Sequence, residues 1–273
     1  MLFRSNMFDD WMPEKDFLNL CRETEILITG QGRDFAARSR SLGGCGQGLE
    51  FIDIHDRELQ NGRLYTVEYY RNDIKLRVYS NYFFPCRDLP IMRRWVELIN
   101  EGSESIGIEH VSSHVSYHIG TIGKQPWHDK LRFYIPYSSW SGEGQWQKFN
   151  ASQIGLKSPN ASHYRATCLG SRSSAEKSPC GMIEDIEHNI TWFWQIEHSA
   201  SWMWEVGLLE NNGAQHGLYL MAGGPNEDFG HWWKNLKPGQ TFESVPVAMG
   251  CVNGGFELAV EVLTKYRRQI CRK

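Results

Sequence analysis

The chain has 273 residues, with 29 Lys+Arg against 32 Asp+Glu and a formal net charge of -3. That balance argues against a protein built to grip a nucleic-acid backbone. With 41% hydrophobic and 22% charged residues it reads as a folded globular chain, long enough for one large all-β domain or two smaller ones.

No apolar run approaches the roughly 18–20 residues that a membrane span needs. The first ten residues lack the basic-then-apolar order of a secretory signal. Seven scattered cysteines, an odd number with no Cys-x-x-Cys pair, point to free thiols in a reducing compartment and so to a cytoplasmic location. The outlying feature is aromatic: 11 Trp, 11 Tyr and 13 Phe. Such rings suit β-sheets, and a flat ring can also stack on the apolar face of a sugar.

In chain order, residues 16–20 suggest one helical turn. The run from Gly43 to Gly48 contains Gly-x-Gly, but the alternating stretch at 49–54 follows it, so a turn or bulge is expected rather than a phosphate loop. Residues 64–70 and 74–80 are rich in β-branched and aromatic side chains. The turn at 71–73 makes them a hairpin, with Ile74, Leu76 and Val78 on one face. Residues 92–99 and 105–111 form the next strand pair, joined through Asn100 and Gly102.

His110, His114 and His118 fall four apart in a segment that reads as strand. Four strand residues span about 13 Å, too far to share one ion easily, so exposed or hydrogen-bonded sheet histidines are expected and no metal site. After the strand at 131–135 comes a Gly/Ser-rich loop carrying Trp140, Glu143 and Trp146. Two rings beside an acid make these three the candidate carbohydrate-binding residues; packed rings that anchor the loop are the competing explanation.

Strands follow at 191–197, 202–209, 218–222 and 241–249, punctuated by turns at 198–201 and 211–213. Pro246 inside the last one suits an edge or a bulge. Strands at ten-residue spacing, without alternating long helices, point to a sandwich or barrel and away from a Rossmann sheet or a complete (β/α)8 barrel. At the end, Phe256, Ala259, Val260, Leu263, Tyr266 and Ile270 have helical spacing, with Asn253 as the expected N-cap. Glu143, Glu197, Glu205, Glu227 and Asp228 could supply the paired carboxylates of a retaining glycosidase, but a sequence does not say which of them meet.

From Trp192 onward the motifs fall in a familiar order. Trp192-Phe-Trp-Gln-Ile-Glu-His198 precedes Gly223-Gly-Pro-Asn-Glu227 and His231-Trp-Trp233; Leu236-Lys-Pro-Gly-Gln-Thr-Phe-Glu-Ser244 and Tyr266-Arg-Arg268 follow. Upstream stand Met92 to Gly102, Trp140 to Trp146 and Gly170 to Ser174. This order resembles the N-terminal domain of the α-galactosidases of glycoside hydrolase family 36, over about residues 26–273. The resemblance implies an all-β fold: a β-supersandwich of two layered, mostly antiparallel sheets at 26–252. A poorly defined segment at 1–25 would precede it, and a connector helix at 253–273 would lead to a (β/α)8 catalytic barrel absent from this chain.

In the family the catalytic aspartates lie on that barrel. No Asp-x-Gly-Trp motif occurs here, so no catalytic residue is carried over, and no cofactor is expected. The implied role is a non-catalytic accessory domain of an enzyme that hydrolyses terminal α-galactosides with retention. Its partners would be the catalytic barrel, α-galactoside sugars and further copies of itself, with no nucleic acid and no membrane. The alternative is a free-standing carbohydrate-binding or oligomerisation module.

Overall fold

The computed structural model describes residues 22–31, 48–85, 88–157, 162–208 and 217–271. The turns expected at 16–20 and 211–213, and glycines 43, 44 and 46 of the Gly-x-Gly run, lie outside the described residues.

Strands numbered in chain order build two antiparallel sheets. The larger runs β2 (Glu50–Leu59), β3 (Gly62–Arg71), β4 (Leu76–Phe84), β5 (Ile91–Asn100), β16 (Val247–Asn253), β11 (Ile190–Ile196), β10 (Cys180–Asp185), β7 (Leu131–Ser139), β8 (Gly142–Asn150). The smaller runs β1 (Ile26–Ile28), β6 (Ile106–Ile119), β13 (Leu218–Gly223), β12 (Trp202–Gly207), β9 (His163–Cys168). β15 (Thr241–Glu243) pairs with β5, and β14 (Lys234–Leu236) with β6. Short helices α1 (Trp127–Lys130) and α2 (Glu227–Gly230) sit in connections, and α3 (Phe256–Cys271) ends the described chain. The fold is an all-β sandwich with one C-terminal helix.

Two apolar cores fill the space between the sheets. One gathers Phe133, Ile183, Trp194 and Val247 of the larger sheet against Trp204, Val206 and Leu220 of the smaller. The other gathers Leu76, Val78, Val96 and Leu98 against Ile26, Ile28 and Ile108. Between them β5 and β6 turn polar: Arg94 lies between Met92 and Val96, and Ser113 and His114 lie between Val111 and Ile119. Arg94 is 2% exposed; its guanidinium donates to the Glu23 carboxylate at 2.6 Å and lies 4.8 Å from the Tyr82 ring centre. Ser113 donates to Ser244 at 2.8 Å.

β5 and β6 are not a hairpin. The chain crosses from one sheet to the other at Asn100, because both strands bury side chains against each other's sheet. The Asn100 amide holds the corner, donating to the Glu104 and Leu236 carbonyls, each at 2.8 Å, and accepting from Gly102 N–H at 2.9 Å.

The expected strand at 241–249 is two strands. Ser244 takes over the pairing with Val96, its N–H donating to the Val96 carbonyl and its hydroxyl accepting from the Val96 N–H, both at 2.8 Å. Pro246, which has no N–H to give, therefore falls at a break where no ladder bond is required. His110 and His114 are buried on β6, and His114 is hydrogen-bonded to Ser116 Oγ at 2.5 Å. Asn253 ends β16 instead of capping α3, and the Gly255 carbonyl takes the first helical bond, from Ala259. The helix lays Ala259, Val262, Leu263 and Tyr266 on the outer face of the larger sheet, against Tyr134, Met182, Phe193 and Ala248. No helix among the described residues is long and apolar enough to cross a membrane.

The buried corner at Asn100 predicts that Asn100→Ala, which strands two carbonyls, lowers unfolding free energy by about 2 kcal/mol in urea titrations. A second prediction concerns acid. Burial, with a smaller push from Arg94, drives the His114 pKa from 6.5 down to about 3. Arg94 on β5 and Ser116 on its own strand are the polar groups that face it. The unfolded chain therefore binds a proton that the folded state refuses. This share of stability is complete above pH 6.5 and is lost progressively as the pH falls toward 3. Urea midpoints should drop between about pH 6.5 and 5, and less steeply in His114→Gln.

Candidate functional site

The register places Cys168 beside Trp202 and Gly223 beside Met203, so the end of β9, the start of β12 and the end of β13 share one end of the smaller sheet. The connections leaving them are tied together. Ser201 Oγ accepts from Gly170 N–H at 2.9 Å, Trp202 Nε1 donates to the Ser173 carbonyl at 2.6 Å, and Cys168 Sγ donates to the Arg172 carbonyl at 2.7 Å. Arg172 then reaches the tip of the β7–β8 hairpin and lies 4.8 Å from the centre of the Trp140 ring.

What sequence alone treats as a loop is this hairpin. β7 extends to Ser139 and β8 begins at Gly142, leaving Trp140 and Ser141 as the turn. Trp140 is 79% exposed, and Glu143 is exposed beside it. Trp146 is half-buried and packs edge-on to Phe256 of α3, with ring centres 5.3 Å apart. The hairpin tip thus offers one open ring crossed by a cation, while the second ring is engaged by the helix. Leu169 and Trp233, each 57% exposed, are further apolar groups at the surface.

Two of the candidate carboxylates, Glu197 and Glu205, are held by arginines. Glu205 is fully buried on the outer face of the smaller sheet, where Arg165 pairs with it and the Tyr219 hydroxyl donates to it at 2.6 Å. Arg165 in turn lies 3.7 Å from the Phe229 ring centre of α2. Glu197 accepts from Arg93 at 2.7 Å and from the Tyr266 hydroxyl. Burial, with Glu197 adding to it, raises the Tyr266 pKa far above its ordinary value, so that hydroxyl remains a donor. Glu227 and Asp228 begin α2, whose first turn is capped by the Asn226 side chain.

Among the described residues one tight group of ligand-type side chains is present: Asp185, Glu187 and His188, whose ligand atoms lie within 4.8 Å of one another. Lys130 already occupies it. Its ammonium is 3.1 Å from Asp185 and 3.2 Å from Glu187 and donates to the Ile122 carbonyl, and the Lys130 and Asp185 side chains are fully buried. The cation this cluster needs is a side chain of the same protein. A separate polar cleft of about 440 Å³ opens beside α1, lined by His128, Arg132, Asn150 and Lys157 among others. Sequence reasoning missed it because its residues come from strand ends and connections that share no motif.

Two antiparallel layers and one C-terminal helix define an all-β sandwich, and solved structures share that fold. An α-galactosidase from Lactobacillus brevis superposes with TM-score 0.65 at 13% identity, covering 81% of this chain and 29% of that one. The family 36 α-galactosidase AgaA from Geobacillus stearothermophilus gives 0.64 at 12%, covering 85% and 30%. The galactosidase domain of the α-galactosidase–sucrose kinase AgaSK gives 0.63 at 15%, covering 84% and 31%. This chain therefore spans less than a third of the length of the enzymes whose fold it shares in part. No family model matches the sequence, and no curated protein matches it.

The Lys130 cluster carries its own test. Lys130→Met removes the ammonium paired with the sealed Asp185 carboxylate and should lower stability by about 3–5 kcal/mol. Divalent metal added to the unaltered protein should leave its melting temperature unchanged.

Proposed function

We propose that this chain is the N-terminal, non-catalytic accessory domain of an α-galactosidase-like glycoside hydrolase. In this reading residues 26–252 form the supersandwich, and residues 253–273 connect it to a (β/α)8 barrel that carries the catalytic aspartates. The whole enzyme removes terminal α-galactose from oligosaccharides with retention, through a galactosyl-enzyme intermediate. The observation that carries it is the asymmetry of coverage: four fifths or more of this chain superposes on less than a third of each enzyme. The carboxylates agree with it, since Glu197 and Glu205 are both bound to arginines and Glu205 is sealed from any substrate. α3 leaves Leu258 and Ile270 each 38% exposed, apolar groups available to a following domain.

The isolated chain should release no aryl alcohol from an aryl α-galactoside above background. Turnover that follows the protein through purification would overturn this reading.

The alternative, a free-standing carbohydrate-binding module, is favoured by one feature, the open Trp140 ring beside Glu143 and Arg172. Titration calorimetry with galactose and raffinose separates the two. Saturable heat that disappears in Trp140→Ala supports the binding module, and no heat supports the accessory role. Because Trp140 is mostly solvated, that substitution should change stability by less than about 0.5 kcal/mol.

A further inference from the structure

β2 is an unusual edge. It pairs with β3 on one side and with nothing on the other among the described residues, and nine of its ten residues are exposed. Phe51 is 59% exposed, Ile52 48% and Ile54 55%. A long edge strand bearing apolar side chains is a template for another strand. The opposite edge of the same sheet is protected in the usual way: β8 reads Gly-Glu-Gly-Gln-Trp-Gln-Lys-Phe-Asn, with glycines at its start and polar side chains outward.

The charges on β2 indicate what completes it. Asp56 is bonded to Arg63, and His55 approaches Glu68 at 3.1 Å. Asp53 and Arg57 are different. Asp53 comes no closer than 3.9 Å to a cationic nitrogen, that of His55, and Arg57 has no ion-pair partner among the described residues. The register with β3 sets Asp53, His55 and Arg57 on one face, opposite Glu68, Thr66 and Leu64, and sets Ile54 on the other. Asp53 and Arg57 thus flank His55 symmetrically, with opposite sign, on the same face, and neither is bound to an arginine, lysine or carboxylate partner among the described residues.

We propose that β2 is a self-association edge: two copies of this chain pair their β2 strands antiparallel about a two-fold axis through His55. Residues equidistant from His55 then face each other. Asp53 meets Arg57 of the second copy, and Arg57 meets its Asp53. On the other face the two Ile54 side chains lie diagonally across the axis, within reach of each other. The free N–H and C=O groups of β2 bond to the second copy, and the two larger sheets become one. A two-fold contact of this kind is closed and produces a dimer, not a fibre. The inference rests on the sheet edge alone and stands apart from the enzymatic reading above.

Sedimentation of the 273-residue chain over a range of concentrations tests it. The unaltered protein should show a monomer–dimer equilibrium. Arg57→Asp places two carboxylates face to face twice over and should weaken dimerisation at least about tenfold. Asp53→Arg should do the same by juxtaposing arginines. The double exchange Asp53→Arg with Arg57→Asp restores the complementarity and should recover the dimer. All four positions in the pair are solvated, so circular dichroism should be unchanged throughout. A chain that stays monomeric at every concentration overturns the proposal. So does a dimer indifferent to the single reversals, or one that the double exchange fails to restore.

Discussion

Trp194 of the larger sheet and Trp204 of the smaller meet edge to face across the sandwich, with ring centres 5.0 Å apart and planes at 74°. Both rings are almost completely buried, and neither indole N–H has a hydrogen-bond partner in the structure. The contact is therefore held by packing and ring geometry alone. It sets the spacing of the layers, and neighbouring positions are shaped by it. Gly181 sits opposite Trp194 on β10, where any Cβ would run into that ring, and Gly250 sits opposite Phe193 on β16 for the same reason. Large rings on β11 thus require missing side chains on both flanking strands.

The polar belt at Arg94, Ser113, His114 and Ser244 sits between two apolar cores that could have been one. Buried polar groups are tolerated where partners are in place. Here each residue has at least one, Glu23 for Arg94, Ser116 for His114 at 2.5 Å, and Ser244 for Ser113, while Arg94 Nε and His114 Nδ1 have none. The belt fixes the relative register of β5 and β6, strands that lie in different sheets and share no ladder. Asn100 does the same at their junction, where a side-chain amide replaces the backbone bonds that a sheet-to-sheet crossing cannot make.

The groups open to a ligand or partner lie at the margins of this architecture. The interior carboxylates are neutralised, the acidic cluster is filled by Lys130, and Trp127, Trp194, Trp202 and Trp204 are sealed within the core. What faces solvent is a hairpin tip with Trp140, the apolar groups of the neighbouring connections, the outer side of α3 and the bare strand β2.

Local chemistry was enough to reveal the strand-after-strand plan, the 71–73 hairpin with Leu76 and Val78 inward, and the terminal helix, because side-chain periodicity is written into adjacent residues. The family resemblance was legible as well, through motifs that recur in a fixed order. Sequence could also name Trp140, Glu143 and Trp146, but not that α3 would engage Trp146 and leave Trp140 open. Nor could it tell that β5 and β6 belong to different sheets, that His114 is sealed beside Arg94, or that Asp185 and Glu187 enclose a lysine. Each of these depends on which distant segment covers a given face. Alternation tells a strand that it has an inside, but only the assembled layers decide what lies there.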